Sequence, residues 1–431
     1  MGKIFLDQIK KKGNTVCFSP AFTSDLIQYF SGEDFSITYP FDVTAIPDSI
    51  LAIPFVCNVL PLIWLTDSEL HLKEIDEAFY NSIPEFKMGY IEMYPDAKFK
   101  GAVIAQNIIK SDRPAEKGKC AMFYSGGLDS AQTLISRLQE KPDLLSIWGS
   151  DVAYNNADGW SLVHEVIKET AERYSLKESV FHSKFRLFDN EWRANKVFFP
   201  VLHDGWWYAV KHGIGLLGHV APYAYLHNIS TMYIAATLSP ADVGIGCASY
   251  PTIDGRVRFA GCQVIHDGFE YNRQDKTHNL VKYCQNAQVA FPLHVCFRSP
   301  NGTNCCKCEK CLRTITALIS EGADPADYDF EDYEKNLYRT KKIVRPIRNK
   351  HLLSFWISIA DKLRQNADSL EKRQYWRHIK WMLDVDFSNP ETLETFWERA
   401  GRKLRKKLSQ QSFYPVLRKI KRFILRQSQE D

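Results

Sequence analysis

The sequence predicts an α/β protein on a doubly wound parallel sheet, with a β-rich N-terminal accessory domain and a helical C-terminal extension. Three observations carry that expectation. Between residues 118 and 322, short apolar runs alternate with segments of helical apolar spacing, the pattern of βαβ units. A glycine pair stands directly after the first of those runs and before a helix. Beyond residue 323 the chain turns charged, and residues 352–365 and 369–383 place apolar side chains at a spacing of about 3.6.

The elements follow in order. Residues 35–43, 50–65 and 86–94 are β-branched and aromatic runs broken by Pro and Asp, which predicts a small β-rich or α+β unit over 1–117. Of these, 50–65 is the most apolar. It contains Pro54, Asn58 and Pro61 and is shorter than the roughly 20 residues a membrane helix needs, so it is read as a buried strand rather than a transmembrane segment. A charged, Pro-containing stretch at 110–118 reads as a linker. In the middle region, 120–124, 144–148, 180–188 and 231–236 read as strands, and 131–139, 161–174 and 215–227 as helices. A parallel sheet of this kind places its ligand site at the carboxyl ends of its strands. The expected domains are therefore 1–117, 118–322 and 323–431.

Composition narrows the class. Of 431 residues, 45% are hydrophobic and 25% charged, as in ordinary soluble globular proteins. No secretory signal opens the chain, and eleven cysteines without one argue for a reducing, cytoplasmic setting. The net charge of +4 hides an asymmetry, because residues 402–426 carry ten Lys/Arg and no acid, leaving −6 for the rest. Residues 415–426 set Val416, Leu417, Ile420, Phe423 and Ile424 against a basic face. That tail offers a contact for an anionic membrane, RNA or an acidic protein; a solvated helix packed on the body explains it equally well.

The most informative stretch is Tyr124-Ser125-Gly126-Gly127-Leu128-Asp129-Ser130. Glycines let the backbone approach an anion, and the N-terminus of the following helix points unpaired N–H groups at it. Ser125 and Ser130 add hydroxyl donors, while Asp129 suits a phosphate only through Mg²⁺. The plainer alternative is a Gly-Gly turn with Asp129 and Ser130 capping the helix. A second signal is Cys296-x8-Cys305-x2-Cys308-x2-Cys311, whose two-residue spacings would let a tight turn bring thiolates to one tetrahedral zinc centre, with disulfides, an accidental run or an iron–sulfur cluster as the alternatives. Lys307 and Lys310, between the ligands, would offset the thiolate charge. Cys306 stands too close to Cys308 for the usual knuckle and is read as a bystander.

The loop string resembles the PP-loop of the N-type ATP pyrophosphatases, which have a HUP-like fold. It differs from a Walker A motif, since no Lys follows the glycines. The resemblance implies cleavage of ATP between its α and β phosphates, transfer of AMP to a substrate oxygen, release of PPi, and displacement of AMP by a nitrogen or sulfur nucleophile. Ser125, Gly126, Gly127, Leu128, Asp129 and Ser130 would bind the nucleotide and its Mg²⁺.

Loop and cysteines together are similar to the 7-cyano-7-deazaguanine synthase family of queuosine-precursor synthesis. That similarity implies an ATP-dependent ligase acting on a small carboxylate or amide with a nitrogen donor, using ATP, Mg²⁺ and Zn²⁺. It places Lys276, at a helix start, near the phosphates as a catalytic residue beside Asp129; a solvated helix start is the alternative. Arg313 also matches. The likeness spans 118–320. It departs from the family at Cys306, which replaces a Gly, and at residues 212–219, which replace a Gly-Arg-Asn segment. It also departs in the hundred or more residues added at each end. An RNA-modifying PP-loop enzyme and a non-catalytic nucleotide-sensing partner are the competing readings.

Weaker signals remain. Asp151 would touch a ribose or cap the next helix, the cap being the better reading. His266-Asp267 offers acid–base chemistry or a structural histidine. Trp206-Trp207-Tyr208 reads mainly as packing.

Overall fold

The computed structural model describes residues 1–111, 118–242, 244–296, 303–347 and 349–387. The strands are β1 (Lys3–Leu6), β2 (Ile9–Lys12), β3 (Thr15–Phe18), β4 (Ala21–Phe22), β5 (Phe35–Thr38), β6 (Glu69–Asp76) and β7 (Ala102–Ile109). After them come β8 (Cys120–Phe123), β9 (Asp143–Trp148), β10 (Glu178–Ser183), β11 (Thr231–Ala235), β12 (Arg258–Phe259) and β13 (Cys262–Asp267). The fold is mixed α/β, with parallel strands at the centre of its larger sheet.

That sheet runs β12-β13-β11-β8-β9-β10-β5-β3-β2. Its five strands from β13 to β10 are parallel, and antiparallel strands extend it at both ends. Numbered along the chain from β8, the parallel strands stand in the order 3-2-1-4-5. The order reverses beside β8, where a crevice opens at the carboxyl edge of such a sheet. The smaller sheet, β4-β1-β6-β7, is parallel except at β4.

Two N-terminal runs expected as strands are helices, α1 (Asp48–Leu65) and α2 (Glu77–Met93). In α1 every residue from Ser49 to Trp64 is buried, so no amphipathic period marks it. Its length should have decided the matter, because strands seldom exceed about eight residues. Pro54 and Pro61 lie inside the helix. Among the described residues α1 alone has the length and apolarity to cross a membrane, yet it is buried in the protein, packed on β6 and on the helices His212–Leu217 and Ala221–His227. Asp76 caps α2 by accepting the Phe79 N–H at 3.0 Å.

The expected boundary at 117 is not a domain boundary. Strands β2, β3 and β5 belong to the larger sheet, and one core runs from Ile4 to Val264. Residues 112–117, most of the expected linker, lie outside the described residues. The first compact unit ends at Tyr333 rather than 322. Backbone bonds from Phe291 to Asp327 and from Leu293 to Tyr328 tie the intervening turn to it.

The middle region follows the expected order, with α3 (Leu128–Arg137) and α4 (Ala157–Tyr174) after β8 and β9. The run 180–188 divides, because the Ser183 hydroxyl accepts the Phe185 N–H at 3.2 Å and the chain turns helical over Phe185–Phe188. In the second unit the Lys350–Gln365 helix buries Leu353, Trp356, Ile359 and Leu363 on one face. The run 369–383 is not one helix. Short turns at Ala367–Leu370, Trp376–Ile379 and Lys380–Asp384 replace it, with exposed polar residues 371–374 between the first two. The basic tail, 402–426, lies outside the described residues.

Candidate functional site

β8 ends at the switch in strand order, and the Ser125–Ser130 loop leads from it into α3. Gly126 has φ +73°, and a Cβ there would meet the Cβ of His294 at 3.3 Å and Val166 at 3.4 Å. Only glycine meets both demands without strain. The His294 N–H donates to the Gly126 carbonyl at 2.7 Å, which binds the loop to the segment that leads to the cysteines. Gly127 is the N-cap of α3 and supplies no side-chain cap; neither Asp129 nor Ser130 caps the helix. Ser130 instead donates to the Gly127 carbonyl at 3.0 Å, and Gly127 N–H lies 3.4 Å from the Ser125 hydroxyl. Leu128 is buried and anchors the first turn of α3.

Asp129 gathers cations from distant parts of the chain. Arg273 Nη1 lies 3.1 Å from one carboxylate oxygen and Lys276 Nζ 3.4 Å from the other. Burial pushes the Asp129 carboxyl up, but Arg273, Lys276 and Lys310 outweigh it and hold it below the ordinary carboxylate range. Lys276 is buried, with its ammonium also donating to the Ala236 carbonyl at the end of β11. It is no solvated helix start. Its helix, Arg273–Ala287, begins with a capping box between Asn272 and Asp275, and both cations leave its first turns for the Asp129 carboxylate.

Lys310 and Arg313 complete the charged wall. Burial, and Arg273 nearby, push Lys310 down to about 8 against the pull of Asp151 and Asp129. The same two causes bring Arg313 down to about 10, against Glu309 and Asp129. Positive charges crowded together around one loop suit an incoming polyanion.

Both residues ride on the Glu309–Ser320 helix, whose N-cap is Cys308. Cys296, Cys305, Cys308 and Cys311 bring their sulfurs within 4.8 Å of one another. Cys296 and Cys308 lie 3.9 Å apart, as do Cys305 and Cys311. Four thiolates at about 2.3 Å from a tetrahedral zinc would stand roughly 3.8 Å apart, so the cluster fits a metal of that kind. Backbone N–H groups of Lys307 and Cys308 point at Cys305 Sγ, and that of Cys311 at Cys308 Sγ. Cys306 takes no part. It has φ +50°, a conformation that favours glycine, and its thiol donates to the Glu331 carbonyl at 3.2 Å.

Other expected residues fall differently. Asp151 does not cap α4; the Asn156 side chain does, accepting the Gly159 N–H at 3.0 Å. Asp151 acts on Lys310 and on His212 instead. His266 has Asp254, not Asp267, as its partner, at 2.9 Å. Asp267 takes the Arg137 guanidinium. Trp206 is buried, and Trp207 packs under the Arg186 guanidinium at 4.4 Å. Sequence reasoning missed Arg273, Asp254 and His212. For Arg273 a signal existed, three residues before Lys276 on the same helical face.

No protein-family model, curated protein or solved structure matches the chain.

Proposed function

We propose that the chain is an ATP-dependent adenylating ligase with a HUP-like, doubly wound PP-loop fold, similar in chemistry to 7-cyano-7-deazaguanine synthase. ATP would give AMP to a carboxylate or amide oxygen and release PPi, and a nitrogen donor would then displace AMP. The observation that carries this reading is the glycine loop at the strand-order switch, faced by Arg273, Lys276, Lys310 and Arg313. Glycine backbone, helix N-terminus and clustered cations together suit a leaving pyrophosphate. Catalysis would rest on charge stabilisation and positioning.

Asp129 is the one carboxylate within the loop and the natural ligand for a magnesium ion, which would neutralise phosphate charge. Phosphates arriving between Arg273 and Lys276 would draw those cations off it. Zinc is the metal we assign to Cys296, Cys305, Cys308 and Cys311. With four thiolates it has no open position, so its part is to fix the helix that presents Lys310 and Arg313. A reducing, cytoplasmic setting, in which eleven thiols stay available to metal, belongs to the same reading.

The test is PPi against Pi release from α- and γ-labelled ATP. It uses zinc-loaded protein, ammonia and a panel of carboxylates including 7-carboxy-7-deazaguanine. PPi and AMP that disappear in Asp129→Ala are the expected result. ATP binding without PPi on any acceptor would replace this reading with the nucleotide-sensing partner. Turnover only with tRNA would favour the RNA-modifying enzyme.

A further inference from the structure

A second polar group lies along the same carboxyl edge of the sheet, and the adenylation step leaves it without a task. His266, on β13, places Nδ1 2.9 Å from Asp254 Oδ2, and the two side chains are 2% and 0% exposed. Ser249 donates to the same Asp254 oxygen at 2.6 Å. Gly213 leaves room for this carboxylate, since a Cβ there would stand 2.5 Å from Asp254 Oδ1. The arrangement fixes the ring. A carboxylate accepts, so Nδ1 carries a proton, and in the neutral ring that tautomer leaves the lone pair on Nε2. That Nε2 is buried and has no partner among the described residues. An unpaired buried acceptor costs stability, so one held in place this firmly calls for a ligand.

Position ties the dyad to the glycine loop. His266 pairs with Ile234 on β11, and just past the end of that strand Ala236 accepts from Lys276, the cation on Asp129. Beside the dyad, the buried His212 precedes Gly213, the residue that leaves room for the Asp254 carboxylate, and it interacts electrostatically with Asp254 and His266. The dyad therefore stands on the strand next to the one whose end receives Lys276. Phe269 stands edge-on to the His266 ring and closes one side with Tyr250. Among the described residues only the four cysteines converge as a metal-ligating group, so the dyad is not one.

We infer that His266, oriented by Asp254, is the general base that accepts the proton of the nitrogen nucleophile after adenylation. The inference rests on the adenylating reading above. The nitrogen lone pair attacks the acyl carbon of the adenylate and the C–N bond forms. The bond from that carbon to the phosphate-bearing oxygen breaks, and AMP leaves with the electron pair. The proton shed by nitrogen goes to His266 Nε2 and then to solvent. Asp254 is the positioning residue, because it sets the tautomer.

The experiment separates the two half-reactions in the full-length, zinc-loaded protein. ATP–PPi exchange with the carboxylate panel reads adenylation, and amide formed from ammonium reads transfer. His266→Asn keeps a donor toward Asp254 but lacks Nε2. It should leave exchange within about threefold of wild type and lower amide formation about 10²-fold. Asp254→Asn should do the same by presenting the wrong tautomer, and retained exchange certifies that both variants are folded. Equal loss in both half-reactions, or none in either, would overturn the assignment of the base. Absence of exchange in the wild type with every carboxylate would instead overturn the adenylating reading, and this one with it.

Discussion

The two halves of the nine-stranded sheet share one core but differ in what they carry. From β13 to β10 the strands are parallel, so their carboxyl ends meet at one edge. On that edge stand the glycine loop after β8, Asp151 after β9, the Ala236 carbonyl after β11 and His266 on β13. From β10 through β5 and β3 to β2 each neighbour is antiparallel, so successive ends alternate between the two edges. No set of loops converges there. The antiparallel half instead packs aromatic rings, Phe35 lying 4.9 Å from Phe18, 5.5 Å from Phe188 and 6.1 Å from Phe55. Chain direction thus separates chemistry from packing within one continuous sheet.

Substitutions can test that separation. The largest effect is expected where the two roles meet, at the cysteines. A structural zinc contributes on the order of 10 kcal/mol to the segment it holds. Cys308→Ser, or chelation, should therefore lower the melting temperature and abolish PPi release together, since the helix carrying Lys310 and Arg313 loses its anchor. Metal-free protein with an unchanged melting curve would break the assigned role. Next comes the packing half. Phe35→Ala should cost about 3–5 kcal/mol in urea unfolding, as large aromatic truncations do, while PPi turnover at low temperature stays intact. A parallel loss of turnover in folded protein would show that the halves are not independent.

The chemical half should behave in the opposite way. Asp129→Asn should lower PPi release by roughly 10²–10³-fold, about 3–4 kcal/mol in the barrier. Its effect on the urea midpoint should be smaller than that of Phe35→Ala, because the Asp129 side chain is 23% exposed and water can replace part of its role. A larger shift in midpoint than in rate would make Asp129 a structural ion-pair partner and undo the comparison.

The same division explains what the sequence made legible. Parallel strands buried on both faces are short apolar runs with clear ends, so β8, β9 and β11 were foreseen to within a residue at each end. Helix α1 is apolar without period and holds two prolines, which hid its helicity. In the site, the glycine loop and the cysteine spacing are local and could be read directly. Asp254 and His212 meet partners 12 and more residues away, and nothing near them in the chain announces it, whereas Arg273, 144 residues from Asp129, is signalled only by its place one turn before Lys276. Lys310 was visible only as a charge between thiolates; that it also faces Asp129 depends on how the Glu309–Ser320 helix is docked.

His219 sits on the seam between the halves and gives the smallest of the expected effects. Its Nδ1 lies 2.7 Å from the Gly215 carbonyl and must donate, so Nε2 accepts from Ser183 on β10 at 2.9 Å. From the antiparallel side, Tyr39 donates to the His219 carbonyl at 3.2 Å, and the Phe35 ring lies 6.2 Å from the imidazole. Burial pushes this imidazole down from its ordinary 6.5 to about 3. The sign follows from that depression. Above pH 6.5 both folded and unfolded chains hold the ring neutral, and its contribution is complete. Between 6.5 and 3 only the unfolded chain takes up the proton, so stability falls with acidification by about 1.4 kcal/mol per pH unit. Urea midpoints from pH 7.5 to 4.5 should decline accordingly, and His219→Gln should flatten the slope by one proton's worth while leaving PPi release at pH 7.5 in place. Identical slopes in the two proteins would mean that the ring is charged or hydrated at the seam. The antiparallel half would then be joined to the parallel one by something other than a dry, neutral contact.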